Sequence, residues 1–600
     1  MKTSLCWSAD FETTTDENDC RVWAYALSNI ENPKEFKYGN CVEGFMDFCA
    51  DERCNYEMYF FNLKFDGAFI LSYLLENGYT RVNSSKERQD KTFTTLITDR
   101  GAFYVIEIYF EVKKHYTNKV KIIDAMKIFP NFSVERLAEG FGLPISKLEL
   151  DYKTKREAGH ELTEHEINYI RNDVEIVAWA LNAMFEKGLT HMTIASNAMQ
   201  DFRKRCKHFK SYFPVLDENV DAGIRASYRG GFTYLNDIYA GKEQGKGITL
   251  DVNSLYPSIM KFMPMPVGVP VFYEGKYKDN SNYPLYVQTF TCMFKLKPNK
   301  IPCIQIKHTM SFIFNEYLKS SDGKLVTLTL TNVELELFFE QYTVEDLTYL
   351  GGWMFKSANH VFDNYIDYWT NEKIEASKEG NKPRRQIAKL LLNSLYGRFG
   401  ISLHARQKAP ALDTNGELVY YNLPEETKKG LYIPVASYVT SYGRCKIVKT
   451  SQAVRDYSLK KYGIDKYWYS DTDSIKCGLT DEDLEELKDI IEIDDYKLGY
   501  WALEEHFDRF LGLRQKCYIT EIDGKVHVTV AGLPHNLAPL INFENFKKGF
   551  TTAGLTLEQM RELAKKNGAS EDEIKKLQHK LTYKYVKGGV ILADTDFTIK

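Results

Sequence analysis

Two short acidic segments, far apart in the sequence, constrain this chain more than any other feature. The first, residues 469–474, reads YSDTDS and follows a strand-like run that ends in three aromatic residues. In extended backbone the side chains at i and i+2 point to the same face, so Asp471 and Asp473 are expected to project together. Taken alone, the segment also fits an acidic turn, because Asp and Thr are ordinary turn residues.

The second segment, residues 247–257, reads GITLDVNSLYP and places Asp251 at the end of an apolar run. Two ionised carboxylates held side by side repel each other, and a hard cation beside them makes the arrangement tolerable. Mg²⁺ prefers oxygen ligands, usually one or two carboxylates together with water and substrate phosphates. The two segments together therefore predict a magnesium site.

Composition sets broad limits on the class of protein. The chain has 600 residues, which is enough for roughly four domains. Hydrophobic residues make up 44% and charged residues 27%, as in soluble globular proteins. The net charge of −4 means that a nucleic-acid partner would need locally concentrated Lys and Arg.

The cysteines and the apolar runs indicate a reduced, intracellular setting. The 11 cysteines include no C-x-x-C pair, so a zinc site is not expected. An unpaired number of this kind fits a cytosolic protein with free thiols. The sequence has no secretory signal at its start and no stretch apolar enough to span a bilayer.

Two further acidic motifs lie near the N-terminus. The segment 9–15, ADFETTT, predicts a strand that places Asp10 and Glu12 on one face. In YFFNLKFDGAFI, residues 59–70, Asn62 and Asp66 are four apart and share a face if a helix begins there.

A third motif lies in INYIRNDVEIV, residues 167–177, which predicts a helix with an apolar stripe and with Tyr169 and Asp173 on an adjoining face. Each motif alone is typical of a solvated surface. D-x-E, N-x-x-x-D and Y-x-x-x-D in this order, within one domain-sized segment, supply the carboxylates needed to hold two Mg²⁺ ions about 4 Å apart and hydrolyse a phosphodiester.

A basic helix is predicted at 384–397, which reads RRQIAKLLLNSLYG. Lys389, Asn393 and the following tyrosine share one face, while leucines and an isoleucine line another. Arg384 and Arg385 add positive charge where a triphosphate could bind. A solvated basic helix explains the two arginines well, but it explains Asn393 and the Tyr-Gly ending poorly.

The three N-terminal motifs resemble those of a DnaQ-like 3′–5′ proofreading exonuclease domain. The resemblance implies that four carboxylates bind the metal ions and that the tyrosine helps orient the attacking water. The residues in these positions are Asp10, Glu12, Asp66, Asp173 and Tyr169. By the same resemblance, the frayed single strand would be bound by Thr13, Asn62, Phe65, Phe69 and Lys147.

The remaining motifs resemble those of family B DNA polymerases, in the family's order. They are D-x-x-S-L-Y-P at 251–257, K-x-x-x-N-S-x-Y-G at 389–397, Y-x-D-T-D-S at 469–474 and K-x-Y at 516–518. A Y-x-G-G element at 228–231, which alone would suggest only a turn, lies where the family joins exonuclease to palm. The resemblance covers nearly the whole chain and is closest to the protein-primed, phi29-like phage type.

This resemblance implies an α/β multidomain fold: a DnaQ/RNase H-like 3′–5′ exonuclease domain, then a right-hand polymerase domain with palm, fingers and thumb and two terminal-protein-region insertions. The implied divisions are exonuclease 1–192, first part of the palm 193–262, first insertion 263–360, fingers 361–398, second insertion 399–432, second part of the palm 433–541 and thumb 542–600.

It also implies roles for the polymerase motifs. Asp251 and Asp473 would bind two Mg²⁺ ions, with the Val252 carbonyl as a further ligand and Asp471 in support. Nucleotide contacts are implied for Val252, Ser254, Leu255, Tyr256, Lys373, Arg385, Lys389, Asn393 and Tyr396. Contacts with primer and template are implied for Tyr228, Gly230, Gly231, Lys516 and Tyr518. Tyr256 would also exclude the 2′-hydroxyl that distinguishes ribonucleotides.

The implied function is protein-primed, DNA-directed DNA synthesis on a linear phage-type genome, processive and strand-displacing, with intrinsic proofreading. The implied partners are template and primer DNA, dNTPs, a terminal protein in a heterodimer and a single-stranded DNA-binding protein. Mn²⁺ is expected to substitute for Mg²⁺. The first insertion would dock the priming protein and the second would close a ring around DNA. The expected setting is the cytoplasm of a bacterial host, with the protein encoded by a virus.

Other functions remain open at this point. One is a primer-independent or RNA-primed family B polymerase of a mobile element or linear plasmid, which the two insertions disfavour. Another is a catalytically inert DNA-binding factor, which the complete set of carboxylates disfavours. An exonuclease with a purely structural C-terminal half would leave the polymerase motifs without a purpose.

The sequence departs from the family pattern in two places. Ala125-Met126 stands where the family usually has Ser-Leu, so a hydroxyl ligand to single-stranded DNA is missing. Residues 555–581 look like an insertion, and two capping boxes that begin at Thr556 and Ser570 predict a small helical hairpin. Its Lys565, Lys566, Lys575 and Lys576 could meet duplex phosphates, although a solvated charged face is at least as consistent with them.

Overall fold

The computed structural model describes residues 4–51, 54–146, 148, 150–151, 154–305 and 317–600. Lys147 lies outside these residues, so the DNA contact predicted for it has no structural counterpart here. Among the described residues, no helix combines the length and the apolar character needed to cross a membrane.

The N-terminal part alternates strands with a few helices. In chain order these are β1 (Ser4–Thr13), β2 (Val22–Asn29), β3 (Phe36–Gly39), α1 (Val42–Cys49), β4 (Asn55–Phe60), α2 (Leu63–Glu76), β5 (Thr80–Arg81), β6 (Thr92–Ile97), β7 (Phe103–Lys113), β8 (Tyr116–Asp124), α3 (Val134–Phe141) and α4 (Glu164–Phe185). The strands form one sheet in the order β3-β2-β1-β4-β8-β7-β6-β5.

The middle of the chain continues with α5 (Ile194–Arg205), α6 (Phe209–Tyr212), α7 (Glu218–Arg225), β9 (Thr233–Leu235), β10 (Gly247–Val252), α8 (Leu255–Phe262), β11 (Met265–Glu274), β12 (Leu285–Leu296), β13 (Val326–Thr331), α9 (Asn332–Gln341), β14 (Tyr342–Ala358), α10 (Asp363–Lys378) and α11 (Lys382–Phe399). Strands β11 to β14 form a separate antiparallel sheet in the order β11-β14-β12-β13.

The C-terminal part contains β15 (His404–Ala405), β16 (Lys408–Leu412), β17 (Leu418–Asn422), β18 (Glu426–Thr427), α12 (Ile433–Tyr462), β19 (Tyr467–Asp471), β20 (Ser474–Cys477), α13 (Asp481–Glu486), β21 (Trp501–Phe507), β22 (Arg509–Arg514), β23 (Cys517–Ile522), β24 (Lys525–Val530), α14 (Leu557–Lys566), α15 (Glu571–Lys575), β25 (Lys580–Val586) and β26 (Gly589–Thr595). The central sheet of this half has the order β21-β10-β20-β19-β9, so residues far apart in sequence meet in it.

The strand and helices predicted for the N-terminal motifs are confirmed. Asp10 and Glu12 lie on β1, and Phe11 between them is 4% exposed and packs edge-on against two phenylalanines of the core. Helix α2 begins directly after Asn62, which adopts a left-handed backbone with φ 74°. Helix α4 contains the predicted Tyr169 and Asp173 face and starts at a capping box formed by Thr163.

The extended backbone predicted through the DTD segment is wrong. Strand β19 ends at Asp471 and β20 begins at Ser474, so Thr472 and Asp473 form a tight hairpin turn. Thr472 has φ 61°, and the Asp473 N–H donates to the Asp471 carbonyl at 2.7 Å. Asp and Thr are ordinary turn residues, and this turn preference determines the local structure of the segment. Asp471 and Asp473 therefore have different surroundings instead of one shared strand face.

The Gly351-Gly352 pair lies within the long strand β14. Gly351 has φ 131°, and a Cβ atom on Gly352 would lie 1.8 Å from the Val287 carbonyl oxygen of the neighbouring strand. Glycine is thus required at both positions, because the backbones of neighbouring strands approach closely at an irregular point of the sheet. Residues 413–416 form the turn between β16 and β17.

The helical hairpin predicted for residues 555–581 is confirmed as α14 and α15. Thr556 and Gln559 form one capping box and Ser570 and Glu573 the other, with both reciprocal hydrogen bonds present. Met560 and Ala564 of α14 are fully buried against the elements that surround β23. Its four lysines at 565, 566, 575 and 576 are exposed.

A buried ion pair joins helices α9 and α12. Arg444 on α12 contacts Glu334 on α9 at 2.7 Å, and both side chains are almost completely buried. A second guanidinium nitrogen of Arg444 donates to the carbonyls of Arg229 and Gly230 at 2.8 and 2.6 Å. Ser441 donates to the other Glu334 oxygen at 2.9 Å. The pair therefore fixes the backbone of the Y-x-G-G element.

We expect the Glu334→Ala substitution to lower the free energy of unfolding by about 3–5 kcal/mol, because it leaves the Arg444 charge buried without its partner. Urea unfolding followed by tryptophan fluorescence measures the loss. Glu336→Ala, on the exposed face of the same helix, is the matched control and is expected to change stability by less than about 0.5 kcal/mol. Equal losses in the two variants would contradict a structural role for the pair.

Candidate active sites

The carboxylates of the central sheet meet where β10, β19, β20 and β21 come together. Asp251 on β10 pairs in register with Ser474, the first residue of β20. The Val252 N–H donates to the Asp473 carbonyl at 2.8 Å, which anchors the hairpin turn to β10. Burial and then the charges of Asp473 and Glu504 together raise the pKa of Asp251 to about 7. The site thus concentrates negative charge in a half-buried position.

Asp473 shows the same physical signature. Burial raises its pKa, with further contributions from the charges of Asp471 and Glu504. Sequence reasoning missed Glu504, which lies on β21 at the irregular step opposite Thr249 and Leu250. No motif marks this residue, because its position depends on a bulge in the pairing of two strands far apart in sequence.

Asp471 has cationic and hydroxyl partners instead. The Lys516 ammonium lies 2.9 Å from one Asp471 oxygen, and the hydroxyl of Thr233 donates to the same atom at 3.2 Å. The Tyr469 hydroxyl donates to the second oxygen at 3.2 Å and accepts the Lys516 N–H at 3.0 Å. Tyr518 packs on the Tyr469 ring with centroids 4.9 Å apart. Asp471 therefore ties the K-x-Y element to the carboxylate site.

Two tyrosines predicted to contact the nucleotide lie together beside this site. The rings of Tyr256 on α8 and Tyr396 on α11 have centroids 4.1 Å apart. Burial raises the pKa of Tyr256, and Tyr396 raises it further. A Cβ atom on Gly231 would lie 2.9 Å from the Tyr256 hydroxyl and 2.9 Å from the Thr472 methyl group. Glycine at 231 therefore allows the Y-x-G-G backbone to approach both motifs.

The remaining Y-x-G-G and α8 residues are also placed near this site. Tyr228 lies against Gly400, at the end of α11, and Gly230 accepts the hydrogen bond from Arg444. Ser254 has a left-handed backbone at φ 52° just before α8. Leu255 is 2% exposed, so only its backbone is available to a nucleotide.

The basic face predicted on α11 is present, with one correction. Lys373 on α10 faces Arg385 and Lys389, and its pKa is lowered by burial first and then by those two positive charges. Arg384 points the other way and contacts Glu372, Glu375 and Glu379 at 2.7 to 2.9 Å. Arg384 therefore belongs to an ion-pair network between α10 and α11 and does not add to this cluster. Asn393 is exposed on α11.

A second acidic site lies on the N-terminal sheet. Asp10 and Glu12 of β1 and Asp173 of α4 have carboxylate oxygens that all lie within 4.8 Å of one another. Asp66 on α2 is 3% exposed. Burial raises its pKa, and the charges of Asp10 and Glu12 raise it further, while the Phe11 N–H hydrogen bond opposes the shift. The four carboxylates predicted from the three motifs are therefore brought together.

Both acidic sites suit a hard divalent cation. Oxygen ligands alone supply the donors, as Mg²⁺, Mn²⁺ and Ca²⁺ prefer. Burial is the main cause of the raised pKa values of Asp66 and Asp251, and repulsion from neighbouring carboxylates adds to both shifts. A bound cation would remove that repulsion. The donor chemistry of the chain therefore fits metal binding at both sites.

The other predicted residues of the N-terminal site lie around these carboxylates. Tyr169 is 1% exposed on α4, one turn before Asp173. Thr13 ends β1 directly after Glu12. Asn62 and Phe65 are half-buried at the start of α2, whereas Phe69 is 2% exposed. Phe69 lies under Gly589 of the hairpin formed by β25 and β26, the C-terminal hairpin. A Cβ atom on Gly589 would lie 2.5 Å from the Phe69 ring. A DNA contact by Phe69 would require that hairpin to move.

The segment at 399–432 contacts both ends of the chain. Leu418 of β17 is buried in one apolar cluster with Val586 and Val590 of the C-terminal hairpin and with Phe69. Gly416, in the turn between β16 and β17, lies against the Lys587 side chain. Gln407 forms an isolated β-bridge with Thr98 of the N-terminal part. This segment therefore closes a continuous set of contacts between the two ends of the chain.

Comparison with known proteins places this arrangement in one family. Residues 51–490 match the family described as DNA polymerase type B, organellar and viral. The chain is 39% identical to the DNA polymerase of Bacillus phage M2 and 38% identical to that of Bacillus phage phi29, each over 99% of both chains. The DNA polymerase of Streptococcus phage Cp-1 is 30% identical over 99% of this chain and 98% of its own.

Solved structures give the same result. The structure of phi29 DNA polymerase in a ternary complex with primer-template DNA and incoming nucleotide substrates superimposes with a TM-score of 0.87 at 37% identity and covers 100% of each chain. Phi29 DNA polymerase with single-stranded DNA superimposes with a TM-score of 0.86. Enzymes of this family use divalent metal ions, in keeping with both carboxylate sites. The chain therefore belongs to the organellar and viral type B DNA polymerases and is a DNA-directed nucleotidyltransferase of the phi29-like phage kind.

Proposed function

We propose that this polymerase carries out protein-primed, strand-displacing DNA synthesis at the central carboxylates and 3′–5′ proofreading hydrolysis at the N-terminal carboxylates. The observation that carries the proposal is the presence of two separate acidic sites in one chain, each with a carboxylate whose pKa is raised by burial and by neighbouring carboxylates. The relatives are phage enzymes, and we place the activity in the cytoplasm of a bacterial host.

For synthesis, Asp251, Asp473 and the Val252 carbonyl would hold Mg²⁺, with Mn²⁺ as a substitute. Two bound ions would activate the primer 3′-hydroxyl and stabilise the charge that develops on the phosphates. Lys516, held by Asp471, would contact the primer terminus. In the Michaelis complex the chain positions the primer end and the nucleotide in line, which is the main protein contribution to phosphoryl transfer.

The incoming dNTP would lie between the cationic cluster and the tyrosine pair. Lys373, Arg385 and Lys389 would bind its triphosphate. Burial and then the charges of Arg385 and Lys389 lower the pKa of Lys373, and a bound anion would offset this charge repulsion. Tyr396 would pack on the base. Tyr256 lies against Tyr396, where a 2′-hydroxyl would meet its ring, so we infer selection for deoxyribonucleotides. Ser254, Leu255 and Asn393 would complete the nucleotide site.

For proofreading, Asp10, Glu12, Asp66 and Asp173 would hold the metal ions and Tyr169 would orient the attacking water. Asn62 and Phe65 would bind the single-stranded 3′ end, with the Phe65 ring as a stacking surface. Thr13 and Lys147 are further proposed contacts. Phe69, which the C-terminal hairpin covers, is proposed to act on the strand through the Phe65 ring, whose centroid lies 5.7 Å from its own. On the template side, Tyr228, Gly230, Gly231 and Tyr518 would contact the duplex.

The proposed partners are template and primer DNA, dNTPs, a terminal protein that forms a heterodimer with the polymerase and a single-stranded DNA-binding protein. The segment 263–360 would dock the priming protein. The segment 399–432 contacts both ends of the chain, and this is the closure that a ring around DNA requires. An RNA-primed enzyme of a mobile element or linear plasmid is the alternative, and a requirement for a protein hydroxyl as primer would separate the two.

The central experiment is extension of a primed single-stranded circle with Mg²⁺ and dNTPs and without accessory proteins. We expect product many times the circle length from the wild type and from Asp10→Ala, and no extension from Asp473→Ala, because the acidic sites act separately. Product that stops after one lap would contradict strand displacement by the ring. Extension by Asp473→Ala would contradict the metal assignment.

The structure also separates the two aspartates of the DTD turn. We expect Asp473→Asn to lower kcat by about 10²–10³-fold, because a lost metal ligand removes several kcal/mol of charge stabilisation in the transition state. Asp471→Asn is expected to lower kcat by about tenfold or less and mainly to raise the KM for primer-template, because it releases Lys516. Steady-state extension kinetics at saturating dNTP measure both parameters. Equal losses of kcat in the two variants would contradict the different roles.

A further inference from the structure

The C-terminal hairpin of β25 and β26 packs directly on the N-terminal part of the chain. Gly589 lies against the Phe69 ring, and the Cys20 thiol donates to the Val590 carbonyl at 3.7 Å. Lys584 forms an ion pair with Glu17. The hairpin is thus fixed beside the mouth of the proposed exonuclease site, although it belongs to the segment proposed as the thumb.

One residue of this hairpin reaches the start of α2. The Tyr583 hydroxyl accepts a hydrogen bond from the Asn62 side-chain amide at 3.0 Å. The Tyr583 and Phe65 ring centroids are 5.9 Å apart with planes inclined at 52°, and the Lys64 ammonium lies 5.0 Å from the Tyr583 ring centroid. Tyr583 therefore contacts Asn62 and Phe65, the two residues at the start of α2 that were proposed to bind the single strand.

The Tyr583 hydroxyl also lies within the electrostatic field of the hydrolytic carboxylates. Burial raises its pKa, the Asn62 hydrogen bond opposes this shift, and the charges of Asp66 and Asp124 raise the pKa further. The phenol stays protonated at neutral pH and is available as a hydrogen-bond donor. It therefore adds a neutral hydrogen-bond donor at the edge of the site, beside the Asn62 amide and the Lys64 ammonium.

The four side chains form a surface suited to a single strand. Asn62, Lys64, Phe65 and Tyr583 are all half-buried, so each keeps an accessible face. An amide and an ammonium bind phosphate oxygens and base edges, and two aromatic rings offer stacking surfaces that accept any base. Ala125, where the family usually has a serine, is fully buried and carries no polar group in its side chain. Tyr583 therefore adds a side-chain hydroxyl to this surface, although it belongs to the C-terminal hairpin.

We propose that Tyr583 is a further ligand of the single-stranded 3′ end at the exonuclease site, which the thumb hairpin thereby completes. The inference rests on the proposed exonuclease function of the N-terminal carboxylates. Tyr583 contacts Asn62, Lys64 and Phe65 at the start of α2. Its contribution is therefore to substrate binding, and it is a binding residue that ties proofreading to the position of the thumb.

The test is steady-state hydrolysis of a 5′-labelled, mixed-sequence single-stranded oligonucleotide with Mg²⁺. We expect Tyr583→Ala to raise the KM about tenfold, at the lower end of the effect of losing one base-stacking ring. Tyr583→Phe keeps the ring and is expected to raise the KM about threefold to fivefold, as for one lost hydrogen bond. The kcat is expected to stay within about twofold, because the metal ligands are untouched.

The matched control is Tyr585→Phe, two residues along the same strand. Tyr585 packs against Tyr420, with ring centroids 5.4 Å apart, and this substitution keeps the ring. The control is expected to leave the KM for the oligonucleotide unchanged. Thermal unfolding of each variant checks that the hairpin is still folded, and Tyr583→Phe supplies the test if Tyr583→Ala is unstable.

An unchanged KM in both Tyr583 variants would overturn the proposal. A lower KM or faster hydrolysis would also overturn it, because Tyr583 would then compete with the strand for Asn62. These outcomes differ from a failure of the exonuclease assignment itself. In that case the wild type would not hydrolyse the oligonucleotide, or Asp66→Ala would hydrolyse it as well as the wild type, and the role of Tyr583 would fall with the assignment.

Discussion

Repulsion between carboxylates is the interaction on which the rest of this structure depends. Asp251 and Asp473 are brought together by β10 and the hairpin of β19 and β20, and burial together with the charges of Asp473 and Glu504 raises the pKa of Asp251 to about 7. Folding has to overcome this unfavourable proximity through packing elsewhere. The buried core around α12 and the ion pair of Arg444 with Glu334 supply such packing, and the same pair fixes the Y-x-G-G backbone. Helix α12 thus links the buried ion pair of Arg444 and Glu334 to the carboxylates of the active site.

The two ends of the chain are similarly interdependent. The N-terminal sheet carries a second group of clustered carboxylates, and the C-terminal hairpin lies at its edge through Tyr583 and Gly589. The 399–432 segment packs on both through Leu418. We infer that proofreading and synthesis are coupled by these contacts. The C-terminal hairpin packs on the segment 399–432 of the proposed DNA ring, and it also contributes Tyr583 to the proposed exonuclease substrate site.

Much of this arrangement could be predicted from the sequence. Periodicity identified β1, α2, α4 and α11, and capping boxes identified α14 and α15, because these signals are local. The DTD turn was predicted incorrectly, since strand propensity before Asp471 competed with turn chemistry after it. Glu504 and Tyr583 could not be found from the sequence. The position of Glu504 depends on a bulge between strands that are distant in sequence, and that of Tyr583 on how the two ends of the chain pack. Neither residue belongs to a recognisable sequence motif.

The measurement that tests the central claim most directly is the melting temperature of the wild type and of Asp251→Asn, in chelator and in Mg²⁺. If carboxylate repulsion is relieved by the cation, Asp251→Asn should melt about 2 °C higher than the wild type in chelator. Mg²⁺ should then stabilise the wild type more than the variant. Asp489→Asn, at an exposed position, serves as the control and should show neither effect. A lower melting temperature for Asp251→Asn in chelator, or equal stabilisation of both proteins by Mg²⁺, would contradict the account.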